Sequence, residues 1–218
     1  MGTGPAPVRS VGRAARARLV PSCAVTSLLL VRHGQSEWNA DGRWQGQENP
    51  PLTDLRRQQA HHAAAAVGAV DAIYASPLDR AMTTAMIIAE RIGVGPVLLA
   101  EGLMERHAGE WQGLTRDQIE QRYPGYLEAG ARPPGWEDDD LVEQRVLGAL
   151  DTIAAEHPGG HVLAVAHAGV IFAVERVIGA PWERLANLGG RWLEHRDGSW
   201  HIGERVHLLI EETIPDQL

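Results

Sequence analysis

Two short aliphatic runs, each followed by a histidine, constrain this chain more than any other feature. The first run, Leu28 to Val31, leads into Arg32-His33-Gly34, and the second, Val162 to Ala166, leads into His167. Short aliphatic runs that end at a turn are typical of strands buried on both faces. If the two strands are parallel neighbours, both imidazoles lie at the carboxyl edge of one sheet, where open α/β sheets bind ligands.

A third segment, between these two runs, brings a second arginine to the same edge. Residues Ala72 to Ala75 predict a strand, Ser76 predicts a helix cap, and the next residue, a proline, predicts the first position of an amphipathic helix. Arg80 then lies in the first turn of that helix. Since Arg32 and Arg80 keep their charge at neutral pH and bind tetrahedral oxyanions through paired hydrogen bonds, the pattern predicts a phosphate pocket.

The rest of the chain fits one folded domain of the α/β class. Strand and helix patterns alternate along the 218 residues, which predicts a single-domain, three-layer α/β/α sandwich with a mostly parallel central sheet. The net charge of -8 argues against nucleic acid as a partner, and the lack of a long apolar run argues against a membrane span. Cys23 is the only cysteine, so an internal disulfide is excluded and a cytoplasmic location is expected.

The first 26 residues differ in composition from everything after them. They contain four arginines and no acidic residue, and they precede the first predicted strand. We interpret residues 1–26 as a disordered basic tail and residues 27–218 as the folded domain. A targeting segment and an upstream translation start fit the same composition.

Four motifs in this order resemble those of the histidine phosphatase superfamily, which is also called phosphoglycerate mutase-like. They are RHG at 32–34, SPLDRA at 76–81, LMERHAGEWQG at 103–113 and VAHAG at 165–169. The resemblance extends over residues 27–210, nearly the whole chain. It implies the histidine phosphatase fold for the domain and a phosphoryl-transfer activity.

The resemblance also implies a role for each motif residue. His33 is expected to attack phosphorus and form a phosphohistidine, which water then hydrolyses. Arg32, Arg80 and a protonated His167 are expected to stabilise the phosphoryl oxygens. Glu105 is expected to protonate the leaving alkoxide and then to take a proton from water. No metal or cofactor is expected, because side chains supply the positive charge.

Glu110 is the competing carboxylate for the role of proton donor. We prefer Glu105, because the family's glutamate precedes a G-x-W-x-G run and residues 109–113 supply that run. This preference depends on the resemblance.

A second group of residues is expected to line the phosphate and substrate side of the pocket. It consists of Gly34, Ser36, Asn39, Gln45, Gly46 and Ala168. Position 168 departs from the family, which usually has glycine there, so a methyl group lies beside the phosphate. The tryptophans at positions 38, 44 and 111 lie in or near the motifs and either form apolar pocket walls or pack in the core.

The preferred function is a metal-independent phosphomonoesterase acting on a small phosphorylated metabolite. A cofactor-dependent phosphoglycerate mutase is the first alternative, since Arg106 and Arg116 echo basic positions of the mutases. Ala108, where the mutases have tyrosine, and the short stretch from Tyr123 to Leu141 argue against it. The second alternative is a noncatalytic phosphate-binding regulatory module, which the presence of His33 and the other chemical residues disfavours.

Two further patterns predict local structure. The acidic run Glu137 to Asp140 is interpreted as the start of a helix rather than a cation site, because acidic groups favour the positive end of the helix dipole. The segments Gly189 to Leu193 and Gly198 to Trp200 predict late strands joined by a hairpin turn. Their exposed edge is a candidate homodimer contact.

Overall fold

The computed structural model describes residues 24–209. Most of the expected basic tail, with its arginines and Cys23, lies outside the described residues. The first strand begins at Thr26, one residue inside the segment assigned to the tail. Among residues 24–209, none of the helices combines the length and the apolar character needed to cross a bilayer.

Residues 24–209 form six strands and six α-helices. The strands are β1 (Thr26–Arg32), β2 (Ala72–Ala75), β3 (Val97–Leu99), β4 (His161–Ala166), β5 (Gly189–Arg196) and β6 (Ser199–His207). The helices are α1 (Glu37–Ala40), α2 (Asp54–Val67), α3 (Asp79–Ile92), α4 (Arg116–Arg122), α5 (Asp139–Glu156) and α6 (Ala168–Ile178).

All six strands form one sheet in the order β3-β2-β4-β1-β5-β6. The first four in this order are parallel, whereas β5 and β6 are antiparallel to their neighbours. In the β1 and β4 pair, Arg32 lies opposite Ala166. The two histidines, His33 and His167, therefore leave the sheet side by side, as the two aliphatic runs predicted.

Alternate residues of β1 explain why helices cover both faces of the sheet. Leu28 and Leu30 pack into the cluster with α5 and α6, and Leu29 and Val31 pack into the cluster with α2 and α3. All four side chains are almost completely buried. A strand that is apolar on both faces is stable only between two helical layers, which confirms the predicted α/β/α sandwich.

Two predicted local features are confirmed and one is wrong. Helix α5 starts at Asp139, within the acidic run. The C-terminal hairpin forms as β5 and β6, joined by Asp197 and Gly198, which both have positive φ angles. The predicted helix cap at Ser76 is wrong: α3 begins at Asp79, its N-cap residue has extended backbone, and no side chain caps it. The Ser76 hydroxyl lies within hydrogen-bond distance of the His167 ring.

Candidate active site

His33 lines a cavity of about 640 Å³ at the carboxyl edge of the parallel strands, and His167 is buried beside it. This volume is within the range of small-molecule binding sites. Side chains from β1, α3, α6 and the loops between them line it. Eight lining residues are arginines, against two glutamates: Arg32, Arg43, Arg80, Arg106, Arg116, Arg132, Arg176, Arg184, Glu105 and Glu175.

The backbone carbonyl of the next residue, Gly34, holds the His33 ring in one orientation. Its Nδ1 lies 2.5 Å from the carbonyl oxygen of Gly34. Because a carbonyl oxygen only accepts, Nδ1 carries the hydrogen, and Nε2 of the neutral ring holds a lone pair. That lone pair accepts a hydrogen bond from the Nε of Arg80 at 3.2 Å. The ring therefore presents an unprotonated nitrogen to the arginine side of the pocket.

Gly34 contributes its backbone to this arrangement. Its carbonyl holds the His33 ring, and its N–H donates to Oγ1 of Thr84 at 3.1 Å. Gly34 does not line the cavity. Gly34 was expected to line the pocket, but its backbone instead fixes the imidazole of His33 from outside the cavity wall.

The two motif arginines meet at the floor of the cavity. Arg80 is 1% exposed and donates to the carbonyl oxygens of Glu48 and Gly46 as well as to His33. Arg32 donates from Nη1 to the carbonyl of Leu185 at 2.7 Å, and its buried Nε has no partner among the described residues. Two cations bonded to carbonyls rather than carboxylates favour an anionic ligand.

Burial sets the protonation of these groups. Burial lowers the pKa of Arg32 and of Arg80 to about 10, although the charge of Glu105 opposes this, so both remain charged at neutral pH. Burial also lowers the pKa of His33 and of His167 well below the usual range, and Arg80 and Arg32 lower it further. The expected protonated His167 is therefore not the form of the unliganded site, in which both rings are neutral.

His167 is fully buried at the N-cap position of α6. Its ring centroid is 5.1 Å from that of His33. Its Nε2 lies 2.8 Å from the hydroxyl of Ser76, and its Nδ1 has no partner among the described residues. The residue thus combines one anchored nitrogen with one unused nitrogen.

Glu105 lines the cavity and is held through its carboxylate and its backbone. Its carboxylate accepts from the N–H of Arg106 at 2.8 Å and from that of Gly169 at 3.3 Å. A Cβ at position 169 would meet Oε1 of Glu105 at 2.2 Å, so a larger residue there would displace the Glu105 carboxylate. The side chains of Arg145 and Gln47 both donate to the Glu105 carbonyl.

Glu110 does not line the cavity. It is exposed and accepts a hydrogen bond from the hydroxyl of Tyr123. Of the two carboxylates weighed from the sequence, only Glu105 lies in the cavity wall.

The second group of expected residues divides into lining and supporting positions. Asn39, Gln45, Gly46 and Ala168 line the cavity, whereas Ser36 lies behind the wall. Ser36 caps α1 and donates its hydroxyl to Oε1 of Gln45 at 2.7 Å. Gly46 contributes the carbonyl that binds Arg80.

The tryptophans only partly form the pocket wall. Trp44 lines the cavity, whereas Trp38 and Trp111 do not. Trp111 is completely buried and packs edge-on against Trp44 and Trp136. Trp136 also lines the cavity, and the guanidinium of Arg132 lies 4.8 Å from its ring centroid. Of the three tryptophans in or near the motifs, Trp44 is therefore the one that forms part of the cavity wall.

Several site residues carry no motif and were missed by sequence reasoning. Asn187 lines the cavity and donates to the His33 carbonyl at 3.1 Å. Arg145 lies on α5 and donates to the carbonyls of Gly102, Met104 and Glu105. Because these contacts join distant parts of the chain, no local pattern reveals them. Among residues 24–209, no group of three or more His, Cys, Asp or Glu side chains is arranged to hold a metal ion.

Comparison with known proteins places this geometry among phosphatases. A metal-independent phosphoserine phosphatase of Arabidopsis thaliana is 34% identical over 190 residues, which cover 82% of this chain and 80% of that protein. The structure of a mycobacterial glucosyl-3-phosphoglycerate phosphatase with VO3 matches with a TM-score of 0.73 and 31% identity, covering 83% of this chain and 97% of that chain.

A third relative is the phosphoserine phosphatase of Entamoeba histolytica, solved as a mutant with phosphoserine. Its structure matches with a TM-score of 0.70 and 27% identity, and covers 83% of this chain and 96% of that chain. The family model of the histidine phosphatase superfamily (branch 1) matches residues 28–205, which include every motif described above. The chain therefore belongs to the histidine phosphatase superfamily.

Proposed function

We propose that this protein is a metal-independent phosphomonoesterase that works through a phosphohistidine on His33. The observation that carries the proposal is the tautomer of His33, since Nδ1 donates to the Gly34 carbonyl and leaves the lone pair on Nε2. A neutral imidazole of this kind can attack phosphorus without first losing a proton. Its lowered pKa keeps it in that state at neutral pH.

The first half of the reaction transfers the phosphoryl group to the enzyme. Nε2 of His33 forms a bond to phosphorus as the bond from phosphorus to the ester oxygen breaks. Arg80 gives up its hydrogen bond to Nε2 and, with Arg32, binds the phosphoryl oxygens, whose charge these buried cations stabilise. Glu105, in its protonated form, gives its proton to the leaving alkoxide.

The second half releases inorganic phosphate. A water molecule attacks phosphorus and loses a proton to the Glu105 carboxylate, and the bond between phosphorus and Nε2 of His33 breaks. Phosphate leaves, and both His33 and Glu105 return to their starting protonation states. No metal is needed in this scheme, because guanidinium groups carry the positive charge that the transferring group requires.

The substrate proposed for this site is a small phosphate ester with a second anionic group. Arg116 and Arg132 line the cavity, are exposed, and form no ion pair with described residues. By contrast, Arg106 and Arg176 are paired with Asp139. The uncompensated arginines favour an ester that is anionic at its far end as well as at its phosphate.

A phosphoglycerate mutase remains the second candidate because Arg106 and Arg116 both line the cavity. A mutase and a phosphatase share the transfer to His33 and differ in whether water or a second substrate hydroxyl accepts the phosphoryl group.

A cytoplasmic location and a homodimer formed through β6 stay predictions, independent of this choice.

The test is phosphate release from a panel of esters in the presence of a chelator. The panel contains phosphoserine, glucosyl-3-phosphoglycerate, 3-phosphoglycerate and a sugar phosphate, with isomerisation of 3-phosphoglycerate followed in parallel. We expect release that resists the chelator, a base-stable phosphoprotein on rapid quenching, and loss of both in His33→Ala. His62→Ala, which removes an exposed histidine of α2, serves as the matched control and retains full activity.

Three results would contradict the proposal. Undiminished release in His33→Ala removes the phosphohistidine mechanism. Isomerisation without net release moves the assignment to a mutase. Phosphate binding without turnover of any ester supports the noncatalytic module.

A further inference from the structure

We propose that Ser76 fixes His167 in the tautomer that carries its hydrogen on Nδ1, so that a neutral His167 donates a hydrogen bond to the transferred phosphoryl group. This inference rests on the proposed function, since it assigns His167 a role in that reaction. Ser76 is a positioning residue in this scheme, because it acts on the phosphoryl group only through His167.

The first step is to account for the hydrogen bonds of the Ser76 hydroxyl, which is completely buried. A hydroxyl has one hydrogen to donate and two lone pairs. One lone pair accepts from the N–H of Leu78 at 3.3 Å. The other contact of the hydroxyl with described residues is Nε2 of His167 at 2.8 Å. Only Nε2 is therefore available to accept the hydroxyl hydrogen.

The alternative arrangement leaves two buried groups unsatisfied instead of one. If Nε2 of His167 carried the hydrogen and donated to Ser76, the hydroxyl hydrogen and the Nδ1 lone pair would both lack a partner among residues 24–209, whereas the assigned tautomer leaves only the Nδ1 hydrogen without one. Buried hydroxyl groups without an acceptor are costly and rare in folded proteins. We therefore assign the bond as Ser76 donating to His167.

The second step follows from the chemistry of the neutral ring. When Nε2 accepts, Nδ1 must carry the hydrogen. Nδ1 of His167 is buried and has no partner among the described residues. The ring lies beside that of His33, with the centroids 5.1 Å apart, so phosphorylation of His33 brings acceptor oxygens next to this N–H. A phosphoryl group is the partner that the unused donor lacks.

The charges around His167 favour the neutral form over the protonated one. Burial lowers its pKa, and Arg80, His33, Arg32 and Arg145 lower it further. A neutral ring with a hydrogen on Nδ1 can donate a hydrogen bond to the phosphoryl group although cations surround it. It does so without adding a fourth charge to Arg32, Arg80 and Arg145.

The two histidines of the site thus share a tautomer but use it in opposite ways. His33 is anchored through Nδ1 by a carbonyl and presents a lone pair at Nε2. His167 is anchored through Nε2 by a hydroxyl and presents an N–H at Nδ1. One ring serves as the nucleophile and the other as the donor.

The first test is made on the wild-type protein, so it does not depend on the folding of a variant. Nitrogen-15 labelling of histidine and long-range proton–nitrogen correlation spectra distinguish the two tautomers, and His167→Ala assigns the signal. We expect the Nδ1-protonated form at neutral pH, and a shift of that nitrogen on addition of inorganic phosphate. A hydrogen on Nε2, or a protonated ring, would overturn the inference.

The second test removes the hydroxyl. In Ser76→Ala, we expect His167 to populate both tautomers. We expect kcat/KM to fall by about 10-fold to 100-fold, the size of effect known for groups that orient metal-bound histidines. Thr26→Val is the matched control, since it removes a buried hydroxyl at the far end of the sheet, where it bonds the His157 carbonyl. The control keeps the tautomer, the affinity for inorganic phosphate and the activity.

The outcomes separate this inference from the proposed function. If Ser76→Ala loses activity while His167 keeps its tautomer, the role of Ser76 is structural and the inference fails. If His33→Ala retains phosphate release, the proposed function fails, whatever the tautomer of His167.

Discussion

Removing the carboxylate of Glu175 should destabilise the protein more than removing an exposed carboxylate from the β5–β6 hairpin. Glu175 lies on α6 and is 3% exposed. It accepts two hydrogen bonds from Arg205, at 2.7 and 2.5 Å, and one from Arg191 at 2.8 Å. Both arginine side chains are about a tenth exposed, so their charges depend on Glu175 for compensation.

The magnitude follows from what remains after the change. Glu175→Ala leaves two guanidinium groups close together in a mostly buried place, and breaking a buried pair in this way costs about 3–5 kcal/mol. For a domain of this size, 1 kcal/mol corresponds to roughly 2–4 °C in Tm. We therefore expect Tm to fall by about 6–20 °C at neutral pH, on combining the two ranges.

Glu194→Ala is the matched control. Glu194 lies on β5 and is paired with Arg196 at 3.8 Å, where both side chains are about half exposed. Exposed pairs of this kind contribute about 0–1 kcal/mol. Urea and thermal unfolding of both variants, followed by circular dichroism, give the comparison. Equal losses of stability in the two variants would refute the reasoning, because burial would then not matter.

Three further predictions concern the site. Glu105→Gln should slow the hydrolysis of an alkyl phosphate by about 100-fold or more, as expected for loss of a general acid. Hydrolysis of p-nitrophenyl phosphate should slow by less, since nitrophenolate leaves without a proton. Equal losses for the two esters in steady-state and burst kinetics would contradict this role. Because the pKa of His33 and of His167 is lowered in the folded state, the unfolded chain binds more protons below about pH 6.5. Each histidine should therefore reduce the free energy of unfolding as pH falls from there, by at most ~1.4 kcal/mol per pH unit. Urea titrations between pH 7 and pH 5 check this, and His33→Gln should make the free energy of unfolding depend less steeply on pH. Trp182→Ala should raise the KM for a large ester such as glucosyl-3-phosphoglycerate by about 2-fold to 12-fold and leave the KM for phosphoserine unchanged. The reason is that this 65% exposed ring lines the cavity beside Phe172, and a lost ring contact is worth about 0.5–1.5 kcal/mol. An equal change in KM for both esters would show that the ring does not contact the larger ester selectively.

The sequence predicted the features of this site that depend on local pattern. Aliphatic runs identify β1 and β4, and their parallel pairing brings His33 and His167 together. Arg80 follows from the strand and helix signals around it. Each of these predictions uses residues close together in the chain, where periodicity and turn chemistry are visible.

Long-range contacts decided what the sequence did not predict. Serine is a typical helix cap, but α3 begins three residues after Ser76, whose hydroxyl bonds His167, 91 residues away. Asn187 reaches the His33 carbonyl across 154 residues without any motif. The sequence also did not predict that the pKa of His167 is lowered in the unliganded site, because burial and the neighbouring arginines are properties of the folded chain.

The position of β1 between two late strands has a consequence for synthesis of the protein. β1 pairs with β4 on one side and with β5 on the other, so both of its edges stay open until most of the chain has been made. At roughly 5–20 residues per second, the ribosome needs about 8 to 31 s to cover the 154 residues from His33 to Asn187. During that time Leu28 to Val31 form an unpaired apolar segment, the kind that chaperones bind and that aggregates when they do not. The strand order that places the two histidines side by side therefore leaves β1 of the nascent chain exposed to chaperones and to aggregation for most of its synthesis.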